Sequence, residues 1–345
     1  MKTITRTVGL LTLLLSLGAC TKEIFQMDAQ RSAPAIFRYI WKDYAEHYGL
    51  FAVKQIDWDS VYEAHEDQIN AATSTQQLYD HVAEILRTLN DRHISLYPAS
   101  NPELPTWSID RTEDGTYVLD DYHFDVIKDN YLTDYKAPNP VIQYGKLNDK
   151  VGYIHILHFD ANRNEYENGL DAALSDLSGS QALVVDIRDN AGGYDPNSQY
   201  VAGRFAREQE LYMTTRKKNG PGPDDFAETR EWYVSPTGNQ QFTRPIIVLT
   251  SRSTASAAET YLLAMRTQSH VRQMGSTTAG SFSDNPAFEA PNGWMYTISI
   301  GDFRAADGRS YEGIGLRPEI FMTSQREDWV AGKDLILEKA IELLQ

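Results

Sequence analysis

Residues 245–266 read PIIVLTSRSTASAAETYLLAMR, and this stretch sets the expected fold class. Pro245 to Thr250 form a continuous apolar run typical of a buried strand, and the residues from Ala255 to Arg266 are typical of a helix. Ser256 stands where that helix begins, beside N–H groups without helical partners and the positive end of the helix dipole. These groups could stabilise an oxyanion, which would suit a serine nucleophile. The plainer alternative is a strand-to-helix turn with serine as its cap.

Apolar strands and helical segments alternate on both sides of this stretch. Strands are predicted at Val141–Leu147, Val151–Leu157, Ala182–Ile187, Ile246–Thr250 and Trp294–Ile300. Helices are predicted at Glu165–Leu177, Asn197–Arg207, Ala255–Arg266 and Lys333–Leu344. Continuous apolar strands between helices are typical of a buried, mostly parallel sheet, so we expect an α/β domain over residues 146–345.

A small helical module is expected over residues 33–95. Apolar side chains recur every four positions at Ile36, Ile40, Tyr44 and Tyr48. The motif Ser74-x-x-Gln77 is a capping-box signal, and the apolar residues that follow it lie on one helical face. Residues 96–145 mix proline, tyrosine and aspartate without a clear period, so we expect a connector of loops and short strands there.

The N-terminus resembles a lipoprotein signal. Two basic residues precede a short apolar run, and residues 17–20 then read LGAC, which resembles a bacterial lipobox. The run is too short for a stable membrane-spanning helix. We expect residues 1–20 to be a signal peptide, Cys20 to carry the lipid, and residues 21–32 to be a tether to the bacterial cell envelope, on its periplasmic face or at the cell surface. The alternative is an ordinary secretory signal in which Cys20 has no role.

Composition narrows the classes of partner. The formal net charge is −16, which disfavours nucleic acid and anionic membrane surfaces. Cys20 is the only cysteine, so a disulfide framework and a cysteine-based zinc site are excluded. His155 and His158 lie three apart on a predicted strand and should point to opposite faces, which argues against a metal site. We expect no metal and no cofactor, and the oligomeric state stays open.

Three further motifs carry polar groups suited to catalysis. The first, VVDIRDNAGG at residues 184–193, ends a buried strand in Asp186, Arg188 and a glycine pair whose N–H groups could face a substrate. Its structural alternative is a glycine turn held by an Asp–Arg ion pair. The second places His93 after an amphipathic helix, as a general base or as a partner of the helix dipole. The third, YEGIGLRPE at residues 311–319, places Glu312 beside a glycine turn, where it could orient a histidine or a substrate amine; the alternative is a plain surface turn.

Together these motifs resemble those of the carboxy-terminal processing (tail-specific) and tricorn-core serine peptidases. The segments DIRDNAGG at 186–193, TASAAE at 254–259 and YEGIGLRP at 311–318 occur in that family's order and rough spacing. The DRH segment at 91–93 resembles the family's Asp-Gly-His. The resemblance covers about residues 35–322 and implies an α/β spiral core like that of ClpP and crotonase.

The resemblance implies roles for individual residues. Ser256 is the expected nucleophile, His93 the general base and Glu312 the support of the imidazole. The expected oxyanion donors are Ala257 and either Gly192 or Gly193, and the expected supporting residues are Asp186, Arg188 and Asn190. The bacterial processing branch uses a lysine base soon after its serine, but Ser281 stands at that place. No lysine lies between Ser256 and Lys333, which excludes that dyad.

Two functions follow as expectations. The first is a serine endopeptidase that hydrolyses peptides or unfolded proteins at the cell envelope. The second is a catalytically silent relative that binds peptides or glycans there. Only about 55 residues separate His93 from Val151, which is short for the PDZ domain that many processing peptidases carry. We therefore expect no PDZ domain, and selection of substrates by their C-termini stays open.

Overall fold

The computed structural model describes residues 31–109 and 122–345. The predicted signal peptide, its Cys20 and residues 21–30 of the predicted tether lie outside the described residues. Within the two described ranges, no helix combines the length and the apolar character needed to cross a membrane.

Four helices begin the described chain and pack around one apolar core. Their bounds are Ala33–His47 (α1), Phe51–Lys54 (α2), Trp58–Glu66 (α3) and Thr75–Thr88 (α4). The residues spaced by four on α1 are buried, as are those on the predicted face of α4. The capping box of α4 is confirmed, because Ser74 and Gln77 exchange both hydrogen bonds. The predicted N-terminal helical segment is therefore confirmed.

Strands and helices follow along the rest of the chain. The strands are Ser95–Tyr97 (β1), Trp107–Ser108 (β2), Thr133–Lys136 (β3), Ile142–Lys146 (β4), Val151–Ile156 (β5), Ala182–Asp186 (β6), Glu210–Lys217 (β7), Arg230–Val234 (β8), Ile246–Thr250 (β9), Val271–Gly275 (β10), Ala287–Glu289 (β11), Met295–Thr297 (β12), Gly301–Ala305 (β13) and Ile320–Phe321 (β14). The helices are Phe124–Asn130 (α5), Arg163–Asp176 (α6), Asp195–Gly203 (α7), Ala257–Arg266 (α8), Arg326–Val330 (α9) and Leu335–Leu344 (α10).

A seven-stranded sheet in the order β14-β10-β9-β6-β5-β4-β3 forms the centre of the molecule. The pairs from β14 to β5 are parallel, and β4 and β3 extend the sheet in antiparallel register. Both β6 and β9 are buried along their whole length, which explains their unbroken runs of branched apolar residues. The predicted α/β class with a mostly parallel sheet is confirmed.

Helices cover both faces of this sheet. On one face α6, α7 and α8 contribute Leu170, Val201 and Tyr261 to a single buried cluster. On the other face α10 contributes Ile336 and Leu337 to a second cluster. The carboxyl ends of the parallel strands β6 and β9 lie at the same edge of the sheet, so the loops that follow them meet there.

Two smaller sheets have the orders β11-β12-β1-β2 and β13-β7-β8. The predicted strand Trp294–Ile300 is wrong as a single element, because β12 ends at Thr297 and β13 begins at Gly301. The chain pairs with β1 before this break and with β7 after it, a change of partner that apolar alternation does not reveal. Within the predicted connector, β1 pairs with β12 and β4 pairs with β5. The predicted domain boundaries and the absence of a PDZ domain stay predictions.

Candidate active site

Ser256 occupies a sharp turn between β9 and α8. Its backbone has φ 55° and ψ −125°, a conformation that residues with a side chain rarely adopt. Holding such a residue typically costs about 1–3 kcal/mol, and such strain is concentrated at functional sites. Ser256 is only partly buried. A strained strand-to-helix turn of this kind presents a serine hydroxyl at the edge of a sheet.

A buried carboxylate, that of Glu259, holds the turn. Its Oε2 accepts hydrogen bonds from the N–H groups of Ser256 at 3.1 Å and Ser281 at 2.7 Å. Its Oε1 accepts from the hydroxyl of Thr278 at 2.6 Å and the N–H of Gly280 at 2.8 Å. Burial raises the pKa of Glu259 to about 7, and the four hydrogen bonds oppose this shift. The predicted site omitted Glu259, although the Ser-x-x-Glu spacing of a capping box marks it.

The glycine pair lies directly against Ser256. A Cβ atom placed on Gly192 would stand 2.8 Å from the Cβ of Ser256 and 2.7 Å from the carbonyl oxygen of Ala255. A Cβ atom on Gly193 would stand 2.3 Å from the carbonyl carbon of Phe159. Their φ angles are 104° and 138°. Only glycine fits both the backbone and the space, so the loop can approach the serine turn closely.

Hydrogen bonds distinguish the two glycines as oxyanion donors. The N–H of Gly192 already donates to Oδ1 of Asn190 at 2.9 Å, and the carbonyl oxygen of Asn190 accepts from the N–H of Ala255 at 3.1 Å. Asn190 thereby ties the glycine loop to the serine turn. In the part of the chain that the structure describes, the N–H groups of Gly193 and Ala257 have no acceptor. These two groups are therefore available to an oxyanion.

Asp186 and Arg188 belong to a buried ion-pair cluster at the end of β6. A guanidinium nitrogen of Arg188 lies 2.6 Å from Asp186 and 2.7 Å from Asp334, which caps α10. The hydroxyl of Tyr153 also donates to Asp186 at 2.8 Å. Burial opposes ionisation, but Arg188 lowers the pKa of Asp186 below its usual value. These ion pairs join the central sheet to the C-terminal helix. They agree with the structural alternative for this motif, in which Asp186 and Arg188 form an ion pair that holds the turn.

His93 has the environment of a neutral imidazole. The backbone N–H of His93 donates to Oδ1 of Asp91 at 2.9 Å. Its Nδ1 is buried and has no hydrogen-bond partner among the described residues. Burial lowers the pKa of His93, and the opposing charges of Asp91 and Asp284 do not cancel that effect. A neutral imidazole is the form that a general base requires.

The residue before His93 links it to the serine turn. Nη1 of Arg92 donates to the carbonyl oxygens of Arg252 at 3.3 Å and Ala279 at 3.4 Å. The N–H of Ala279 in turn donates to the carbonyl oxygen of Thr254 at 2.9 Å. The segment that carries His93 thus contacts the loops on either side of the nucleophile turn.

Glu312 lies in a buried pair with Lys54. Its Oε1 is 2.9 Å from Nζ of Lys54, and its Oε2 accepts from the N–H of Phe282 at 2.7 Å. Lys54 also donates to the carbonyl oxygen of Asn90 at 2.8 Å. Burial and the charge of Asp91 raise the pKa of Glu312, and Lys54 counteracts them. Both carboxylate oxygens are therefore engaged by groups that the predicted site did not include.

The three predicted catalytic side chains share neighbours rather than direct bonds. Asp91 and Lys54 act electrostatically on both His93 and Glu312. Among the described residues, no hydrogen bond joins His93 to Ser256 or to Glu312. A bound substrate or a water molecule would therefore have to link these three side chains. In structures without substrate, catalytic hydrogen bonds are often long or poorly aligned.

Two family models match the chain. The model of peptidase family S41 matches residues 150–322, which is half of the chain. The chain belongs to peptidase family S41. A model of the tricorn protease C1 domain matches residues 30–87, the region of the N-terminal helices. The predicted family is thus confirmed, and it places this S41 chain in the serine-peptidase class of hydrolases.

Individual relatives agree with this membership. The carboxy-terminal processing protease CtpA of Bacillus subtilis is 26% identical over 179 residues, which cover 51% of this chain and 36% of that protein. The carboxyl-terminal-processing protease of Picosynechococcus sp. is 26% identical over 217 residues, which cover 60% of this chain and 49% of that protein. The S41 chain therefore spans half or less of these relatives. A crystal structure of a putative peptidase from Parabacteroides merdae has a TM-score of 0.77 at 28% identity, covering 91% of this chain and 96% of that one.

A cavity of about 340 Å³ opens beside the glycine loop of this S41 chain. Gly193, Asp195, Trp232 and Phe303 are among the residues that line it. Burial raises the pKa of Asp195 to about 6, and the hydroxyl of Thr260, which donates to it at 2.7 Å, opposes this shift. Gly193, whose N–H has no acceptor among the described residues, thus forms part of the wall of this cavity.

His155 and His158, near the end of β5, each pair with a carboxylate. Nε2 of His155 lies 2.7 Å from Asp189, and Nδ1 of His158 lies 2.7 Å from Asp160. Within residues 31–109 and 122–345, one group of histidine and acidic side chains is close enough to share an ion, and it lies on α3 and α4.

Proposed function

We propose that this S41 chain is a serine endopeptidase with Ser256 as nucleophile, His93 as general base and Glu312 as the carboxylate that supports the imidazole. The observation that supports the proposal most is the strained turn at Ser256. It sets the serine at a helix N-terminus, next to the acceptor-free N–H groups of Ala257 and Gly193. Two convergent donors beside a serine are the arrangement that acyl transfer requires.

The proposed reaction begins when the Oγ of Ser256 attacks the substrate carbonyl and His93 accepts the hydroxyl proton. The carbonyl oxygen becomes an oxyanion that accepts hydrogen bonds from Ala257 and Gly193. Loss of one such donor typically costs about 3–4 kcal/mol of barrier. The imidazolium then protonates the leaving amine, and a water molecule activated by the same imidazole releases the acyl group from the serine.

Support of His93 by Glu312 is proposed to be indirect. The oxygens of Glu312 contact Lys54 and the N–H of Phe282, while Nδ1 of His93 is buried without a partner. A buried N–H donor without an acceptor typically costs about 1–3 kcal/mol. A hydrogen bond from a protonated Nδ1 to an acceptor would therefore be favourable. A bridging water between Nδ1 and the Glu312 carboxylate would satisfy both groups and would stabilise the imidazolium formed in the reaction.

The proposed substrate is a peptide or an unfolded protein segment. An extended chain would pass along the glycine loop and insert one side chain into the cavity next to Gly193. The predicted lipid on Cys20 would hold the enzyme at the cell envelope, where it would act on envelope or extracytoplasmic proteins.

A catalytically silent relative that binds peptides or glycans is the second candidate. Two observations favour it: both oxygens of Glu312 are engaged, and no hydrogen bond among the described residues joins His93 to Ser256. Such a protein would bind the same ligands at the glycine loop without cleaving them.

Hydrolysis of an unfolded, dye-labelled protein substrate separates the two candidates. We expect Ser256→Ala and His93→Ala to lower turnover by at least about 10³-fold, since losses of catalytic-triad members are of this order or larger. Ser253→Ala, three residues earlier in the same loop, is the matched control and should retain activity. Unchanged hydrolysis in His93→Ala would contradict the proposed base, and binding without hydrolysis by the wild-type chain would favour the silent relative.

A further inference from the structure

A group of three side chains on the N-terminal helices has no role in the proposed reaction. His65 lies near the end of α3, and His81 and Glu84 lie three positions apart on the same face of α4. The potential ligand atoms of these three residues all lie within 4.8 Å of one another. The two histidines are partly buried and Glu84 is exposed, so an ion could reach the group from solvent.

The separation of the two imidazoles is that of ligands on one tetrahedral ion. Nδ1 of His65 lies 3.3 Å from Nδ1 of His81. Two nitrogens that are each about 2.0–2.1 Å from a tetrahedral zinc ion lie roughly 3.3–3.4 Å apart. When one ring carries its proton on Nδ1, the same two nitrogens form a hydrogen bond with each other, so a bound ion would replace that hydrogen bond. With both rings in the Nε2–H tautomer, each Nδ1 atom carries a lone pair that could bind an ion.

Within the described residues, the side chains of His65, His81 and Glu84 form no hydrogen bond other than the one between the two Nδ1 atoms. The rings of His65 and His81 meet edge to face at 83°. Glu84 forms no ion pair within the described ranges, and its carboxylate is one helical turn from His81. The ring of Phe37 lies 6.3 Å from that of His65 and gives the site an apolar wall.

We propose that His65, His81 and Glu84 bind one divalent transition-metal ion, with zinc the best fit and water completing its coordination. Two imidazoles and one carboxylate form a ligand set of the borderline type that zinc prefers, whereas magnesium and calcium prefer oxygen ligands. The ion would join α3 to α4. Trp58 is the buried residue of α3, so a metal link would add substantially to the attachment of that helix.

Zinc titration of the full, untagged chain after chelator treatment tests this proposal independently of peptidase activity. We expect one zinc ion per chain by calorimetry and a rise in Tm on zinc addition, because a ligand that binds the folded state stabilises it. His65→Gln and His81→Gln should each weaken zinc binding at least tenfold, since even the outer-shell partners of metal ligands contribute 10–100-fold. Magnesium should produce neither effect.

His47→Gln on α1 is the matched control, because it removes a histidine of the same helical segment from outside the group. It should retain the zinc-induced rise in Tm. Glu84→Gln changes an exposed side chain, so it keeps the test valid if a histidine variant fails to fold, and it should also weaken binding. Equal zinc affinity in wild type, His81→Gln and Glu84→Gln, or absence of zinc binding by the wild type, would overturn the proposal.

Discussion

Replacement of Glu259 by Gln should destabilise the whole protein, although it changes one atom in a side chain. The two carboxylate oxygens accept four hydrogen bonds, two on each oxygen. A Gln amide nitrogen cannot accept, so two buried donors lose their acceptor. The hydroxyl of Thr278 already accepts from the N–H of Leu316 at 2.8 Å, and if it also accepted from the Gln amide, its own O–H would lose its present acceptor. At about 1–3 kcal/mol for each unsatisfied donor, the expected loss is about 2–6 kcal/mol.

Urea unfolding at pH 8, above the pKa of about 7 that burial gives Glu259, measures this loss. Domains typically have about 5–15 kcal/mol of stability, so the change should be a large fraction of the total. The matched control is Glu319→Gln, whose half-exposed pair with Arg272 at 3.3 Å should contribute at most about 1 kcal/mol. Turnover of Glu259→Gln should also fall, because the Ser256 turn loses its anchor. Equal unfolding free energies for Glu259→Gln and wild type would refute the assigned role.

Three other outcomes are expected. Burial lowers the pKa of His93, and a general base must be neutral. We therefore expect kcat/KM to rise with pH through an apparent pKa below the usual 6.5 of histidine. A midpoint at or above 6.5 would contradict this expectation. Asp334→Ala should lower the free energy of unfolding by about 2–6 kcal/mol in chemical denaturation, since two buried N–H groups of Arg188 lose their acceptor at about 1–3 kcal/mol each; a loss below 1 kcal/mol would argue against the cluster's structural role. Cys20→Ser should move the protein from membrane to soluble fractions, and continued membrane retention would count against the lipid anchor.

Much of the central sheet could be predicted because its signals are local. β9 is a continuous apolar run at Ile246–Thr250, and the small residues that follow it predict a turn into α8. The glycine pair after β6 was likewise visible as a backbone requirement at Gly192 and Gly193. Such features depend on neighbouring residues in the chain, so the sequence pattern carries them directly.

Contacts between distant parts of the chain could not be predicted in this way. Lys54 and Glu312 are 258 positions apart in sequence, yet their charged atoms are 2.9 Å apart. No local motif marks Lys54, because its role depends on how the helical segment packs against the α/β core. The difference between the N–H groups of Gly192 and Gly193 also required the structure, since only that of Gly192 donates to the side chain of Asn190.

Covalent labelling with a fluorophosphonate probe shows whether Ser256 is an activated nucleophile, as proposed. The probe reacts with serines whose hydroxyl is activated by a base, and peptide mass spectrometry identifies the labelled residue. We predict a single adduct on Ser256 in the wild-type chain, no adduct in Ser256→Ala, much slower labelling in His93→Ala and normal labelling in Ser253→Ala. A folded wild-type chain that remains unlabelled, or that is labelled at another serine, would contradict the proposed role of Ser256 as nucleophile.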